Sequence, residues 1–217
     1  MTCVNKVAVV LANSPEFEGS KSLEVLESIN TVLNSLPEFE EIFIVTSQHI
    51  SNLYAANEFK FTREAKLVAV PRTQGALATL CIGIDSVSKS KELFVIPINC
   101  HIKTPALQTF MQEVSNGGAH VSVLTINSTD PIYSYARITQ SGKLIEVIEK
   151  QIVGNVALSG IFYFKSAVEV HQCAAWAFKH NLNTNGLFYI APSLNYFIAV
   201  GKSILVSRLK SEDFNRV

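Results

Sequence analysis

What most limits this chain is the order in which its apolar runs arrive. Lys6 to Ala12 reads as a buried-type strand, and a polar segment, Asn13 to Ser22, follows it. Leu23, Leu26, Ile29, Val32, Leu33 and Leu36 then recur at helical spacing, which predicts an amphipathic helix over residues 22 to 35, ending before Pro37. Ile42 to Thr46 is a second strand. Strand, loop, helix and strand before residue 50 are the opening of an α/β layered fold.

The alternation continues. His49 to Phe61 carries a weak helical pattern, Lys66 to Val70 is a short strand ended by Pro71, and the Thr73-Gln74-Gly75-Ala76 turn leads into a helix over Leu77 to Ile84. Leu93 to Ile98 is a strand running into Asn99-Cys100-His101. Thr104 reads as an N-cap with Pro105 at the first helical position, opening a helix that stops near Gly117-Gly118. His120 to Ile126 is β-branched and strand-like. Tyr133 to Ile138, the Ser141-Gly142 turn and Leu144 to Ile148 form a hairpin. Ser166 with Glu169 is a capping box for a helix to about Lys179. A polar turn over Asn181 to Gly186, a helix within residues 188 to 200 and a strand over Ile204 to Arg208 complete the chain. No repeat or linker interrupts it, so residues 1–217 are expected to form one domain.

Composition removes some function classes. Lys plus Arg and Asp plus Glu both number 18, and no basic stripe stands out, so neither nucleic acid nor an acidic membrane is an expected partner. Cys3, Cys81, Cys100 and Cys173 lack CxxC spacing and read as free thiols of a reducing compartment. The run Val7 to Ala12 is too short for a secretory signal, and no run approaches a membrane span, so a cytoplasmic protein is expected.

Chemistry concentrates around the runs Leu144 to Ile148 and Ala157 to Phe164. Glu149-Lys150 sits at the mouth of the first and Gly160 inside the second. Strands so apolar are covered on both faces, and a charged pair and a glycine there mark the floor of a ligand site. The plainer alternative is a solvated strand end and a β-bulge.

Four segments in order carry a resemblance: Ser134-Tyr135, Val147-Ile148-Glu149-Lys150, Ser159-Gly160-Ile161-Phe162-Tyr163-Phe164, and Phe188-Tyr189-Ile190-Ala191-Pro192-Ser193-Leu194-Asn195. Together they resemble the sugar-phosphate side of the sugar-1-phosphate nucleotidyltransferases, especially the capsule and surface-polysaccharide branch. The resemblance runs through almost the whole chain. It implies a single Rossmann-like, GT-A-like α/β domain with a mixed, mostly parallel sheet and helices on both faces. It also implies Glu149 accepting from sugar hydroxyls, Gly160 admitting the sugar close to backbone, Lys150 near a phosphate or an internal pair, and Tyr189 as sugar floor or core aromatic.

The nucleotide side is matched more loosely. A glycine-rich loop whose amides hold triphosphate corresponds to Ala12 through Leu23, with Ala12 and Asn13 at its start and Lys21 in place of the family lysine. This loop has one glycine and no arginine, and it carries Glu16 and Glu18. A carboxylate about 4 Å from a phosphate charge, at an effective dielectric of about 20, is repelled by about 4 kcal/mol. The resemblance gives Gln74 and Gly75 to the base and Arg72 to a phosphate. At the end of the fourth strand the family places an aspartate for Mg²⁺; here Cys100 stands there, between Asn99 and His101, and a thiol is a poor magnesium ligand. A later family aspartate is echoed only in Lys210-Ser-Glu212-Asp213.

The implied reaction is attack of a sugar-1-phosphate oxygen on the α-phosphorus of a nucleoside triphosphate, with pyrophosphate leaving and Mg²⁺ as cofactor if the chain is active. Alignment and charge neutralisation carry such chemistry, with Lys21 as its catalytic cation. Two alternatives stand beside it. One is a degenerate relative that binds a sugar nucleotide or a protein partner as regulator or scaffold; the other is a glycosyltransferase-like protein, which lacks the expected Asp-x-Asp. Cys100 and His101, adjacent on extended backbone, point to opposite sides and do not form a dyad. A homo-oligomer is compatible with the sequence. The ending Lys210 to Val217 stops where family members commonly continue, which suits either a compact subfamily or missing accessory elements.

Overall fold

A computed structural model describes residues 5–13, 22–56 and 59–216. The first strand, β1 (Lys6–Ala12), shows why the chain layers. Val7, Val9 and Leu11 pack into one apolar cluster while Ala8, Val10 and Ala12 pack into a second on the opposite face. A strand buried on both faces needs helices on both. On the second face lie α1 (Ser22–Ser35), through Val25, Leu26, Ile29, Val32 and Leu33 with Leu36 just beyond its end, and α4 (Thr104–Gly117), through Leu107, Phe110, Met111 and Val114. The first face is covered by α3 (Ala76–Gly83) and α5 (Ala167–Lys179), through Leu77, Leu80, Val170, Cys173, Ala174 and Ala177. Each such buried aliphatic side chain contributes about 1.5–3 kcal/mol.

The remaining elements follow in chain order. They are β2 (Glu41–Ser47), α2 (Gln48–Ala56), β3 (Lys66–Val70), β4 (Glu92–Pro97), β5 (Cys100–Ile102), β6 (Val121–Asn127), β7 (Tyr135–Ile138), β8 (Leu144–Ile148), β9 (Val156–Phe164), α6 (Ile190–Ser193), α7 (Asn195–Ala199), β10 (Ile204–Arg208) and β11 (Phe214–Arg216). The main sheet runs β10-β6-β9-β4-β1-β2-β3, with the β7–β8 hairpin joined through β9. Neighbours are parallel except that β9 lies antiparallel to both β4 and β6. This is the mixed, mostly parallel sheet with helices on both faces that the resemblance implies.

Four expectations change in detail. The cap of α4 is Lys103, one residue before Thr104, because its amide donates to the Asp213 carbonyl at 3.0 Å and its ammonium pairs with the Asp213 carboxylate at 3.3 Å. The capping box of α5 is half made: the Glu169 amide donates to Ser166 Oγ, but the Glu169 carboxylate takes Lys202 at 2.7 Å instead of turning back. The helix expected within 188–200 is two short helices meeting at Leu194. Finally, β5 and β11 pair antiparallel as a separate ribbon that no periodicity announces.

Candidate functional site

The candidate site is built at the end of β4, where Pro97 leaves the sheet opposite the middle of β9. Between Leu158 and Phe162 the register of β9 against β6 slips, and Gly160 lies inside the slip with φ +95°. The glycine is therefore a bulge. A Cβ there would stand 3.2 Å from Pro97 Cγ and 3.4 Å from Cys100 Sγ, so those side chains occupy the space beneath it. The bulge frees the Ser159 carbonyl from the ladder, and the Cys100 thiol donates to it at 2.9 Å.

Glu149 and Lys150 follow the end of β8. The Ser134 hydroxyl donates to the Glu149 carboxylate, and Leu158 donates to the Ser134 carbonyl at 2.8 Å, which ties Glu149 to the strand that bulges at Gly160. Burial pushes the Glu149 pKa up, with the Ser134 hydrogen bond and the charges of Lys150 and Arg216 pulling against it. Lys150 adopts φ +52°, turning its ammonium to the Tyr189 hydroxyl at 3.1 Å and over the Tyr189 ring at 5.0 Å. Tyr189 is thus Lys150's partner. Asn195 holds the hairpin from behind: its side chain accepts from the Val147 amide at 2.9 Å and donates to the Val147 carbonyl at 2.8 Å, closing the free edge of β8.

The Gln74-Gly75 turn joins the same arc. The Phe188 amide donates to the Gln74 carbonyl at 2.8 Å, and the Leu77 amide donates to the Phe188 carbonyl at 3.0 Å. Gly75 has φ 108° and ψ 173°, a region only glycine occupies readily, and a Cβ would stand 2.5 Å from the Phe188 carbonyl oxygen. The close approach that demands this glycine is therefore the chain's own Phe188 backbone. Gln74 and Arg72 are exposed beside the turn. The structure thus brings Gln74, Gly75, Tyr189, Lys150, Glu149 and Ser134 into one continuous arc. Ala12 and Asn13 stand at the end of β1, two strands from Gly160. Lys21, Glu16 and Glu18 lie outside the described residues, as does Cys3.

The position expected to hold magnesium behaves differently. Magnesium seeks hard, preferably anionic oxygens in octahedral array. Cys100 is buried, and burial pushes its thiol up to about 12, against the pull of Arg216, so it is neutral at physiological pH. Asn99 offers one amide oxygen, which lies 3.6 Å from Cys100 Sγ. His101 faces away on β5 and lines a separate recess of about 260 Å³ with Thr31, Ser35, Lys103 and Asp213. Its buried Nε2 makes no hydrogen bond among the described residues. Among the described residues no group of three His, Cys, Asp or Glu converges as a metal site. This donor set does not fit magnesium, and Asp213 is engaged with Lys103 at the start of α4.

Arg216 is the residue that sequence reading misses. Its strand places it in register with Cys100, and its guanidinium stacks over the Tyr133 ring at 5.1 Å. No local pattern marks it, because its position depends on two three-residue strands meeting. Ser134 and Asn195 lie within the recognised segments, but their roles become visible only through their partners.

The backbone is similar over nearly its whole length to two solved structures. A nucleoside-diphosphate-sugar pyrophosphorylase from Vibrio cholerae RC9 superposes with a TM-score of 0.72 at 14% identity, over 97% of this chain and 94% of that one. A protein described as a glucose-1-phosphate thymidylyltransferase from Bacillus anthracis, solved with sucrose, gives 0.71 at 15% identity, over 94% of this chain and 87% of that one. The fold is that of the sugar-1-phosphate nucleotidyltransferases. No family model and no curated protein matches the sequence. No helix among the described residues is long and apolar enough to cross a membrane.

Proposed function

We propose that this cleft binds a nucleotide together with a sugar 1-phosphate, and that the chain transfers the nucleotidyl group with release of pyrophosphate in the synthesis of surface-polysaccharide precursors. The observation that carries the reading is the Ser134–Glu149 pair, tied through Leu158 to the strand that bulges at Gly160: a half-buried carboxylate, held in place by a hydroxyl, with remaining acceptor capacity for sugar hydroxyls. Lys150, braced by Tyr189, adds positive charge at the same rim. The base lies against the Gln74-Gly75 turn, and Lys21 meets the triphosphate. Alignment and charge neutralisation supply the catalysis, and no protein nucleophile takes part.

The neutral Cys100 favours a second reading, in which the cleft holds a finished sugar nucleotide without turnover and the chain regulates or scaffolds its pathway. A pyrophosphate-release assay separates the two, using the common nucleoside triphosphates against several sugar 1-phosphates with magnesium present. Release that disappears in Lys21→Ala is the expected result. Silence across the matrix, with sugar nucleotides still raising the melting temperature, would transfer the conclusion to the second reading.

A further inference from the structure

Beside the candidate site lies a cation that makes no hydrogen bond or ion pair among the described residues. Arg216 is half-buried on β11, and among the described residues its guanidinium has no hydrogen bond or ion pair, only the face of Tyr133 at 5.1 Å. By contrast, Arg63 donates to the Leu36 and Pro37 carbonyls, and Arg137 pairs with Glu146 at 2.7 Å. A planar guanidinium laid on an aromatic ring keeps its edge donors free, in the fork geometry that matches phosphate oxygens.

Three placements fix where that edge lies. The β11–β5 pairing puts Arg216 directly opposite Cys100, Cys100 Sγ underlies Gly160, and the field of Arg216 reaches both Cys100 and Glu149. An aspartate at position 100 would be met by this arginine and neutralised; a buried neutral thiol offers it no countercharge there. We infer that Arg216 is a phosphate-binding residue, a fixed guanidinium that receives the phosphate or pyrophosphate group of the ligand beside Gly160 without a magnesium ion. The inference rests on the proposed function only for the presence of phosphate on the ligand, and it serves transfer and storage of a sugar nucleotide equally.

The test is calorimetric titration of the full chain in EDTA with sodium pyrophosphate, and in parallel with nucleoside diphosphate glucoses carrying each common base. Pyrophosphate is expected to bind without metal, and Arg216→Ala to weaken it by about tenfold or more, the loss of one charge-assisted contact at about 1.4 kcal/mol per decade. Arg216→Lys should keep part of the affinity, and Arg137→Ala all of it. If Arg216→Ala fails to fold, Arg216→Gln, which keeps the inner part of the stem and a polar end but removes the charge and the guanidinium, is expected to show the same loss. Binding that requires added magnesium, or that is unchanged in Arg216→Ala or Arg216→Gln, overturns the inference. Pyrophosphate binding through Arg216 with no gain in affinity for any nucleoside diphosphate glucose leaves the inference standing and removes the nucleotide-sugar reading; absence of all binding removes both.

Discussion

Gly75→Ala tests whether the turn assigned to the base is held by the chain itself. The residue has φ 108° and ψ 173°, and a methyl group there would stand 2.5 Å from the oxygen and 2.7 Å from the nitrogen of Phe188. These are backbone atoms, so relief requires displacing the segment they belong to. That segment is held by the Phe188-to-Gln74 bond at 2.8 Å and the Leu77-to-Phe188 bond at 3.0 Å. The glycine-only conformation costs alanine about 1–3 kcal/mol, and losing both hydrogen bonds costs about 0.5–1.5 kcal/mol each, so about 2–6 kcal/mol in all is expected. Gly118→Ala is the control: it has φ 58° but meets nothing within 4 Å, so it should cost about 1–2 kcal/mol. Urea denaturation followed by fluorescence of Trp176, the single tryptophan, reports both. A Gly75→Ala penalty no larger than that of Gly118→Ala would refute the clamp and return Gly75 to a purely ligand-facing role.

Further perturbations probe the remaining parts. Asn195→Ala strips both partners from Val147 and should lower stability by about 1–3 kcal/mol in the same denaturation assay while weakening sugar-nucleotide binding through displacement of Glu149; stability within experimental error of wild type would mean that β8 holds its edge unaided. Glu149 has a folded pKa raised above its ordinary 4.5, so its protonated form favours the fold at low pH and that contribution is lost as pH rises through the folded value. The stability of Glu149→Gln relative to wild type should therefore increase from about pH 4 to about pH 8, and a flat difference would contradict the burial of the ionised carboxylate. Cys100 and Cys173, both pushed up to about 12 by burial, should resist a thiol reagent in a folded Cys3→Ser, Cys81→Ser background and react on unfolding; rapid labelling of Cys100 in the folded protein, located by peptide mapping, would show that the Gly160 bulge opens.

Much of the fold is legible in the sequence because its signals are local and redundant. Six apolar positions at helical spacing define α1, and β-branched runs define β1, β2 and β6 without reference to any partner. The candidate site is less legible because its meaning lies in contacts distant along the chain. Gly160 reads equally as bulge or sugar contact until Pro97 and Cys100 are seen beneath it. Gly75 reads as a base platform until Phe188 is found pressed against it. Arg216 carries no signal at all, since three residues of β11 have no periodicity and acquire their place only by pairing with β5. Glu169 shows the reverse failure: a correct local motif whose side chain a distant lysine captures.

The most direct test of the central claim is a crystal of the full chain soaked at millimolar concentration with the nucleoside diphosphate glucose that stabilises it most. The account predicts sugar hydroxyls on Glu149, the diphosphate against Arg216 beside Gly160, and the base at the Gln74-Gly75 turn. An empty cleft at that concentration, or the same ligand seated elsewhere on the protein, would contradict it.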